Sequence, residues 1–327
     1  MSRRLEATIE TFPISGGFTI SRGTKTQAHV ITCVIAEGNV EGRGECVPYA
    51  RYGETLDGVL ADIHAAAPAI AAGLTRQELL TAMKPGAARN AIDCALWDLE
   101  AGLSDVPAAA RILAAPAKPL VTAYTISLGE PDVMAAKAAE NAHRPLLKVK
   151  VGTGDDESRI RAVCAAAPRS TVILDANEGW PEDRLAHHIA VSSECGVALV
   201  EQPLPAGRDA ALRDIERLVT ICADESVHTG GDLAALRDRY DAINIKLDKT
   251  GGLTEALTLK RDAQALGFKI MIGCMVGSSL GMAPALLLAQ DAEFVDLDGP
   301  LLLARDRVPG LVYEGSLVLP PEQALWG

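Results

Sequence analysis

LLKVK (146–150), TVILDAN (171–177), ALVEQP (198–203), ICADES (221–226) and AINIK (242–246) succeed one another through the second half of the chain, each an apolar run ending at or beside a charged side chain. The charged residues, Lys150, Asp175, Glu201, Asp224 and Lys246, stand 25, 26, 23 and 22 positions apart. That stride fits one strand, one helix and their loops, the period of a β/α barrel whose strand ends converge on one mouth. Three further runs, VTAYTIS (121–127), KIMIGCM (269–275) and FVDLDG (294–299), bring the strands to eight. Helical patterns such as 131–143 and 254–266 separate them, and seven helices are expected. No eighth helix of normal length follows Gly299-Pro300, so the fold expected is a (β/α)7β modified TIM barrel. Burial on both faces explains why the strands are almost continuously apolar.

Upstream, residues 5–13, 28–36 and 39–46 alternate apolar and polar side chains, with breaks at 13–17 and 37–39. Residues 54–74 and 86–103 repeat apolar positions at helical spacing, and Ile92, Ala95, Leu96 and Leu99 form one face. Strands followed by helices make an α+β domain. The composition shifts at AAPAKP (114–119), which places this first domain at 1–115, the barrel at 116–303 and a tail, 304–327, packing back on the first domain.

The 327 residues are 48% hydrophobic and 23% charged, enough for a large core. A net charge of −12 disfavours nucleic acid and anionic membrane as partners and leaves a small-molecule substrate. The seven cysteines are scattered and form no C-x-x-C pair, so they read as reduced core residues. The N-terminus runs straight into a strand pattern with no apolar leader, and no apolar run reaches membrane-spanning length. A cytoplasmic location is expected, and a homo-oligomeric state stays open.

One charged residue at a strand end only opens a polar loop. Here Asp175, Glu201 and Asp224 close three consecutive buried runs, and converging carboxylates repel unless a cation neutralises them. All-oxygen donors without Cys or His point to a hard ion, and one Mg²⁺ per subunit is expected. Lys148 and Lys150 lie on one face of a strand because side chains alternate. Their mutual repulsion could lower one of them toward the range of a base. Lys246 lies four strands farther round the barrel, where it could return a proton to the opposite face of the same carbon. Simple charge balance, phosphate binding and Schiff-base chemistry remain alternatives for these lysines.

These same residues resemble the enolase superfamily, in its muconate-lactonizing-enzyme subgroup, over essentially the whole chain. The resemblance rests on K-x-K at Lys148 and Lys150, on LDAN, EQP and ADES at Asp175, Glu201 and Asp224, and on the sixth-strand Lys246. It implies an α+β cap on a (β/α)7β barrel, metal binding of a substrate carboxylate, and α-proton removal by lysine. ECVPYARYGET (45–55), GAARNAIDCALWDLE (86–100), CADESVHT (222–229), NIKLDKTGGLTEAL (244–257) and FVDLDGP (294–300) are similar to the subgroup's dipeptide epimerases.

That closer resemblance implies inversion of the α-carbon of a dipeptide's C-terminal residue, L-Ala-D-Glu to L-Ala-L-Glu, in recycling of cell-wall peptides. It gives Asp296 and Asp298 the substrate's α-ammonium, a pairing suited to buried carboxylates, and Arg22 in FTISRGTK (18–25) the glutamate side chain. Thr125 and Ser278 are expected at the mouth as hydrogen-bond partners of the substrate, and Asn177 behind Asp175. Arg51 to Glu54 form a second candidate lid, and His228 reads as a loop residue. Other subgroup reactions stay in competition: another dipeptide epimerisation, cycloisomerisation, o-succinylbenzoate synthesis and N-acylamino-acid racemisation. A Schiff-base lyase at Lys150 and a silent peptide-binding barrel stand outside the subgroup.

Overall fold

A computed structural model describes residues 2–327. The chain begins with an antiparallel sheet of β1 (Arg4–Ile20), β2 (Gly23–Glu37) and β3 (Val40–Cys46). The expected break at 13–17 is instead a bend inside β1. Gly16 and Gly17 take φ of 71° and 81°, and the register with β2 shifts between Pro13 and Phe18 without ending the pairing. A bulge of this kind turns a ribbon rather than stopping it. The hairpin therefore runs on to a tip at Ser21-Arg22, which leans over the barrel.

Five helices follow: α1 (Leu56–Ala65), α2 (Ala67–Ala71), α3 (Arg76–Ala82), α4 (Ala87–Ser104) and α5 (Ala108–Ile112). The longest, α4, buries Ala91, Ile92, Ala95, Leu96 and Leu99 against Ile31, Cys33 and Ile35 of the sheet. Gly42 and Gly44 of β3 make that packing close. A Cβ on Gly42 would strike Ala95 O and Leu99 N, and one on Gly44 would strike Ala91 O.

After the edge strand β4 (Leu120–Val121), eight parallel strands run in sequence order around the barrel: β5 (Tyr124–Ile126), β6 (Leu146–Lys150), β7 (Thr171–Asp175), β8 (Leu199–Glu201), β9 (Thr220–Ala223), β10 (Ala242–Ile245), β11 (Lys269–Gly273) and β12 (Phe294–Asp296). Ala123 N donates to Val295 O at 2.8 Å and Leu297 N to Thr122 Oγ1 at 2.9 Å, which joins the last strand to the first. Leu146, Ile173, Leu199, Cys222, Ala242 and Met271 fill the interior as a floor below the mouth.

The crossovers use α6 (Pro131–Glu140), α7 (Asp156–Ala166), α8 (Glu182–Glu194), α9 (Leu233–Leu236), α10 (Leu247–Thr250), α11 (Leu253–Ala265) and α12 (Ser279–Leu288), before the short α13 (Gly299–Leu302). The expected count of one full helix per crossover fails twice. Between β8 and β9 there is a single 3-10 turn, Ala210–Arg213, and between β9 and β10 only a 3-10 turn leading into the four residues of α9. Pro203, Pro205 and Gly207 use up the first of these connections before a helix can start.

Beyond α13 the chain adds β13 (Tyr313–Glu314) and β14 (Leu317–Val318), the latter pairing with β4. Its end returns to the cap, where Trp326 Nε1 donates to Cys94 O at 3.1 Å and Gly327 N to Asp98 Oδ1 at 2.7 Å. Cap and barrel also meet along α4. Arg89 donates to Thr250 O and Gly251 O, Asn90 Nδ2 to Asp248 Oδ1, and the Asp93 carboxylate accepts from Thr254 N and Oγ1. All seven cysteines are free thiols.

The β3–α4 contact gives a stability test. Gly44→Ala should lower stability by about 1–3 kcal/mol through overpacking, measured as an earlier urea midpoint. Gly154→Ala, where a Cβ meets nothing within 4 Å, should leave that midpoint unchanged.

Candidate active site

The strand register carries the charged residues to one level of the barrel. Lys150 pairs with Asp175, and Asp175 with Glu201, so their side chains share the interior face one layer above the apolar floor. Val149, Leu174 and Val200, one position earlier, point outward into the helix layer. Lys246 follows β10, four strands from β6 in an eight-stranded sheet, and so stands across the mouth from Lys150. Above them opens a cavity of about 770 Å³, lined by both domains.

Every lysine at this level has a carboxylate partner. Lys148 Nζ lies 2.7 Å from Asp296 Oδ2, 2.7 Å from Glu201 Oε2 and 3.1 Å from Asp175 Oδ2. Burial alone would discharge it, but Asp296, Glu201 and Asp175 outweigh burial and hold its pKa well above the ordinary lysine range. The repulsion expected within the K-x-K pair therefore does not turn Lys148 into a base. Lys150 Nζ donates to Asp175 Oδ2 at 2.6 Å and Asn177 Oδ1 at 3.2 Å. Lys246 Nζ donates to Asp224 Oδ2 at 2.7 Å, and against the pull of burial this carboxylate raises its pKa. Asp224 is correspondingly held low, since Lys246 and Lys249 outweigh its own desolvation.

Two groups in this floor escaped the sequence reading. Lys249 Nζ reaches Asp224 Oδ1 at 2.5 Å and Asn244 O at 2.9 Å, fixing that carboxylate from below. Asn244 Nδ2 donates to Glu201 Oε1 at 2.7 Å. The alternation that placed Lys246 inward also places Asn244 inward, so that residue was within reach of the sequence. Lys249 lies on a helical turn beyond the strand, where alternation says nothing. Gln202 works from the side: its Oε1 accepts from Asp224 N and Ser226 N. Asn177, Glu178 and Gln202 take φ of 44°, 66° and 36° just past the ends of β7 and β8. Such strain gathers where the surroundings dictate the backbone.

The donor set suits a hard cation. Asp175, Glu201 and Asp224 are at most 1% exposed and offer only oxygen. Five buried carboxylates, Asp175, Glu201, Asp224, Asp296 and Asp298, share the ammonium groups of Lys148, Lys150, Lys246 and Lys249. The surplus negative charge, with burial, raises two of the carboxyl groups. Burial and Asp175 push Glu201 up to about 7, and burial and Asp296 push Asp298 up to about 7. Glu201 Oε2, though 2.7 Å from Lys148 Nζ, has no aligned hydrogen bond. In this conformation the ammonium groups stand between the carboxylates, and among the described residues no three acidic, His or Cys groups are gathered as a ready cage.

The remaining expected residues divide. Asp296, Asp298 and Thr125 all line the cavity. Asp298 Oδ2 accepts from Thr125 N at 2.7 Å, whereas Asp296 Oδ1 is buried without a partner. Asn177 lies beside Asp175, whose Oδ1 accepts its backbone N–H at 2.9 Å. Ser278 is a correction. It is fully buried away from the cavity, donates its hydroxyl to Glu45 and accepts from Arg307 Nε at 2.6 Å. Its position after the seventh strand put it near the mouth, but a charged cluster between cap and tail has claimed it. His228 packs edge-on against Tyr52 at 4.5 Å between ring centroids.

Arg22 reaches the mouth, but both of its terminal nitrogens are engaged. Nη1 donates to Asn177 O at 2.8 Å and Glu178 Oε2 at 3.2 Å, and Nη2 to Glu225 Oε1 at 2.9 Å and Tyr49 Oη at 3.2 Å. Arg51 grips the same Glu178 with two bonds of 2.7 Å. Glu178 thus fastens two capping-domain arginines to the barrel. Nothing in the sequence pattern marks it, because it lies in a loop beyond its strand.

Residues 5–112 match the model of the mandelate racemase / muconate lactonizing enzyme N-terminal domain, and residues 133–299 match the enolase C-terminal domain-like model. The chain is 45% identical over 306 residues to the L-Ala-D/L-Glu epimerase of Escherichia coli (strain K12), covering 93% of this chain and 95% of the relative. It is 44% identical over 300 residues to an N-acetyl-D-glutamate racemase of Pseudoalteromonas sp, covering 91% and 95%. A crystal structure of an Agrobacterium tumefaciens enolase family member with homology to dipeptide epimerases, with bound sodium and L-Ala-L-Glu, superposes with a TM-score of 0.99. It is 66% identical, and the match covers 99% of this chain and 100% of that one.

Glu178→Ala should release the hairpin tip. Amide exchange over residues 18–26 should quicken by about tenfold or more while exchange in the barrel strands stays as it was. Hydrogen-exchange mass spectrometry checks this, and an unchanged tip would show that Glu178 does not fasten it.

Proposed function

The chain belongs to the enolase superfamily, in its mandelate racemase / muconate lactonizing enzyme branch, and from that footing we propose that it epimerises dipeptides at the α-carbon of the C-terminal residue. The pair it interconverts is L-Ala-D-Glu and L-Ala-L-Glu, and its setting is the recycling of cell-wall peptides in the cytoplasm. No described helix is long and apolar enough to cross a membrane.

The observation that carries the dipeptide reading is Asp296 Oδ1, an acceptor buried in the cavity wall without a donor. A buried carboxylate oxygen beside surplus negative charge calls for a cationic donor. The α-ammonium of a dipeptide supplies one. An N-acylated glutamate, the kind of substrate named for the Pseudoalteromonas relative, brings only a neutral amide N–H, and this second reading is tested alongside the first.

Asp175, Glu201 and Asp224 would hold a Mg²⁺ ion, one per subunit. Bound there, the ion would supply Lewis-acid stabilisation for negative charge developing on the substrate's carboxylate, worth several kcal/mol. The chain's own residues do the rest. Lys150 and Lys246 face the α-carbon from opposite sides, so one removes the α-proton and the other delivers a proton to the far face. Their roles exchange when the reaction runs backward. Lys148, kept charged by its three carboxylates, stands in the floor as a fixed positive charge for the substrate carboxylate. Thr125 N anchors Asp298, Lys249 and Asn244 hold the Asp224 and Glu201 carboxylates, and Gln202 holds the Asp224 backbone.

In D₂O with Mg²⁺, L-Ala-D-Glu and L-Ala-L-Glu should each gain one α-deuterium and interconvert, scored by mass and chiral chromatography. Exchange into N-acetyl-D-glutamate and not into the dipeptides would replace the first reading by the second. Lys150→Ala and Lys246→Ala should each lower epimerisation by about 10²–10⁴, and two fully active variants would end the two-base mechanism. Apart from activity, saturating Mg²⁺ should raise the melting temperature, since a hundredfold excess over Kd adds about 2.7 kcal/mol of stability. Glu201→Gln should abolish that shift, and a shift that survives would place the ion elsewhere.

A further inference from the structure

Lys150 stands where the barrel wall is losing its ladder. Its strand pairs with β7 as far as Lys150 itself, opposite Asp175, but the pairing with β5 stops at Val149. One residue later Val151 N still donates to Asp175 O at 2.9 Å. The next two amides, of Gly152 and Thr153, go to a side chain instead: both donate to Asp156 Oδ2, at 2.7 and 3.1 Å. Trp180 Nε1 donates to the same oxygen at 2.8 Å, and Arg159 Nη1 to Oδ1 at 3.1 Å. Asp156 is 0% exposed and lies outside the residues that line the cavity.

Through these four bonds one buried carboxylate joins three consecutive loops at the mouth. Gly152 and Thr153 carry the chain away from Lys150. Trp180 belongs to the segment that follows Asp175 and Asn177. Arg159 also donates to Gly129 O, in the loop after β5, at 2.8 Å, so it spans the side on which the ladder has already ended. The second and first of these loops touch without any side chain between them, since a Cβ on Gly152 would strike Ala176 O. A buried carboxylate with its lone pairs filled this way is fixed by geometry, and it fixes its donors in turn.

We propose that Asp156 is a positioning residue for Lys150: from behind the strand end it sets where the ammonium meets the α-carbon. The proposal rests on the two-base dipeptide reading above and deepens it at the same site. Proton transfer tolerates little error in the separation of the reacting atoms, and a shift of about 1 Å can cost about a hundredfold in rate. Lys246 is held by other contacts, at the start of the turn whose Thr250 O accepts from Arg89 Nη2, so losing Asp156 leaves it in place. Asp175, Glu201 and Asp224 serve both faces of the α-carbon alike, whereas each lysine serves one. A defect confined to Lys150 is therefore one-sided, and general damage to the fold or to the acidic floor is not.

In D₂O a lysine that takes the α-proton onto Nζ, breaking C–H and forming N–H, can return a deuteron from the same ammonium to the same face. Exchange with retention thus reports one lysine at a time. The test follows early α-deuterium entry into L-Ala-D-Glu and L-Ala-L-Glu separately, with Mg²⁺ present. Lys150→Ala should abolish exchange in one epimer while the other still exchanges with retention, which identifies the epimer that Lys150 deprotonates. Asp156→Ala should slow exchange in that same epimer by about ten- to hundredfold and leave the other within about threefold of wild type. Asp156→Asn, which keeps one oxygen for the two amides and Trp180, should recover most of the loss. Trp180→Phe removes a single donor and should give the same one-sided loss at about three- to tenfold; it carries the test if Asp156→Ala does not fold. Equal losses in both epimers, or none in either, would overturn the proposal and leave the epimerase reading intact. Wild-type protein that exchanges neither epimer would refute the dipeptide reading and the positioning role together.

Discussion

Lys148 at the centre of Asp175, Glu201 and Asp296 is the contact on which the rest of the structure depends. Taking one carboxylate out of water costs several kcal/mol even after relaxation, and this floor holds five. They can share so small a volume only because ammonium groups interleave with them, from β6 on one side and from the end of β10 on the other. The same crowding leaves surplus negative charge. Glu201 and Asp298 are pushed up to about 7, and Glu201 Oε2 and Asp296 Oδ1 remain short of partners. Those two oxygens carry most of the chemical information in the site, because each specifies what kind of ligand it lacks.

Such a floor works only under a roof that excludes water, and the cap is fastened to the barrel at three places. Arg89, Asn90 and Asp93 of α4 tie it to the segment just after Lys246. Arg307 of the tail joins Glu10 and Glu45 of the cap to Ser278 of the barrel. Glu178 and Glu225 hold Arg22 and Arg51 at the rim. The first two anchors are buried or half-buried and set where the cap sits. The third is nearest to solvent, holding Arg22 of the hairpin tip and Arg51 of the turn after β3. Its strength is modest for the same reason, since partly exposed ion pairs are screened.

The barrel was legible because its strands obey period two and its connections keep a nearly constant length. Lys150, Asp175, Glu201 and Lys246 could be placed on the inner face from those regularities alone. Reading failed where chemistry lies beyond a strand end. Ser278, assigned to the mouth from its place after the seventh strand, turned out to be bound to Glu45, more than two hundred residues earlier. Arg22 was placed over the mouth, but its partners Glu178 and Glu225 sit on loops whose direction no periodicity reports. The glycine pair at 16 and 17 looked like the end of a strand because glycine marks a turn and a bulge equally well, and only pairing with β2 tells them apart.

By itself the sequence determined which residues point inward, in what order they come around the barrel, and that carboxylates and lysines should meet at its mouth. Those properties follow from local alternation and spacing, which the backbone imposes on any sequence that adopts it. Only the tertiary structure decided which charges are satisfied and which are left over: that Lys148 is a fixed cation, that Arg22 is bound to Glu178 and Glu225, and that Asp296 keeps one oxygen unpaired. Partnership between ions depends on distances of a few ångströms across segments far apart in the chain. Coulomb energy falls with separation in space and is indifferent to separation in sequence.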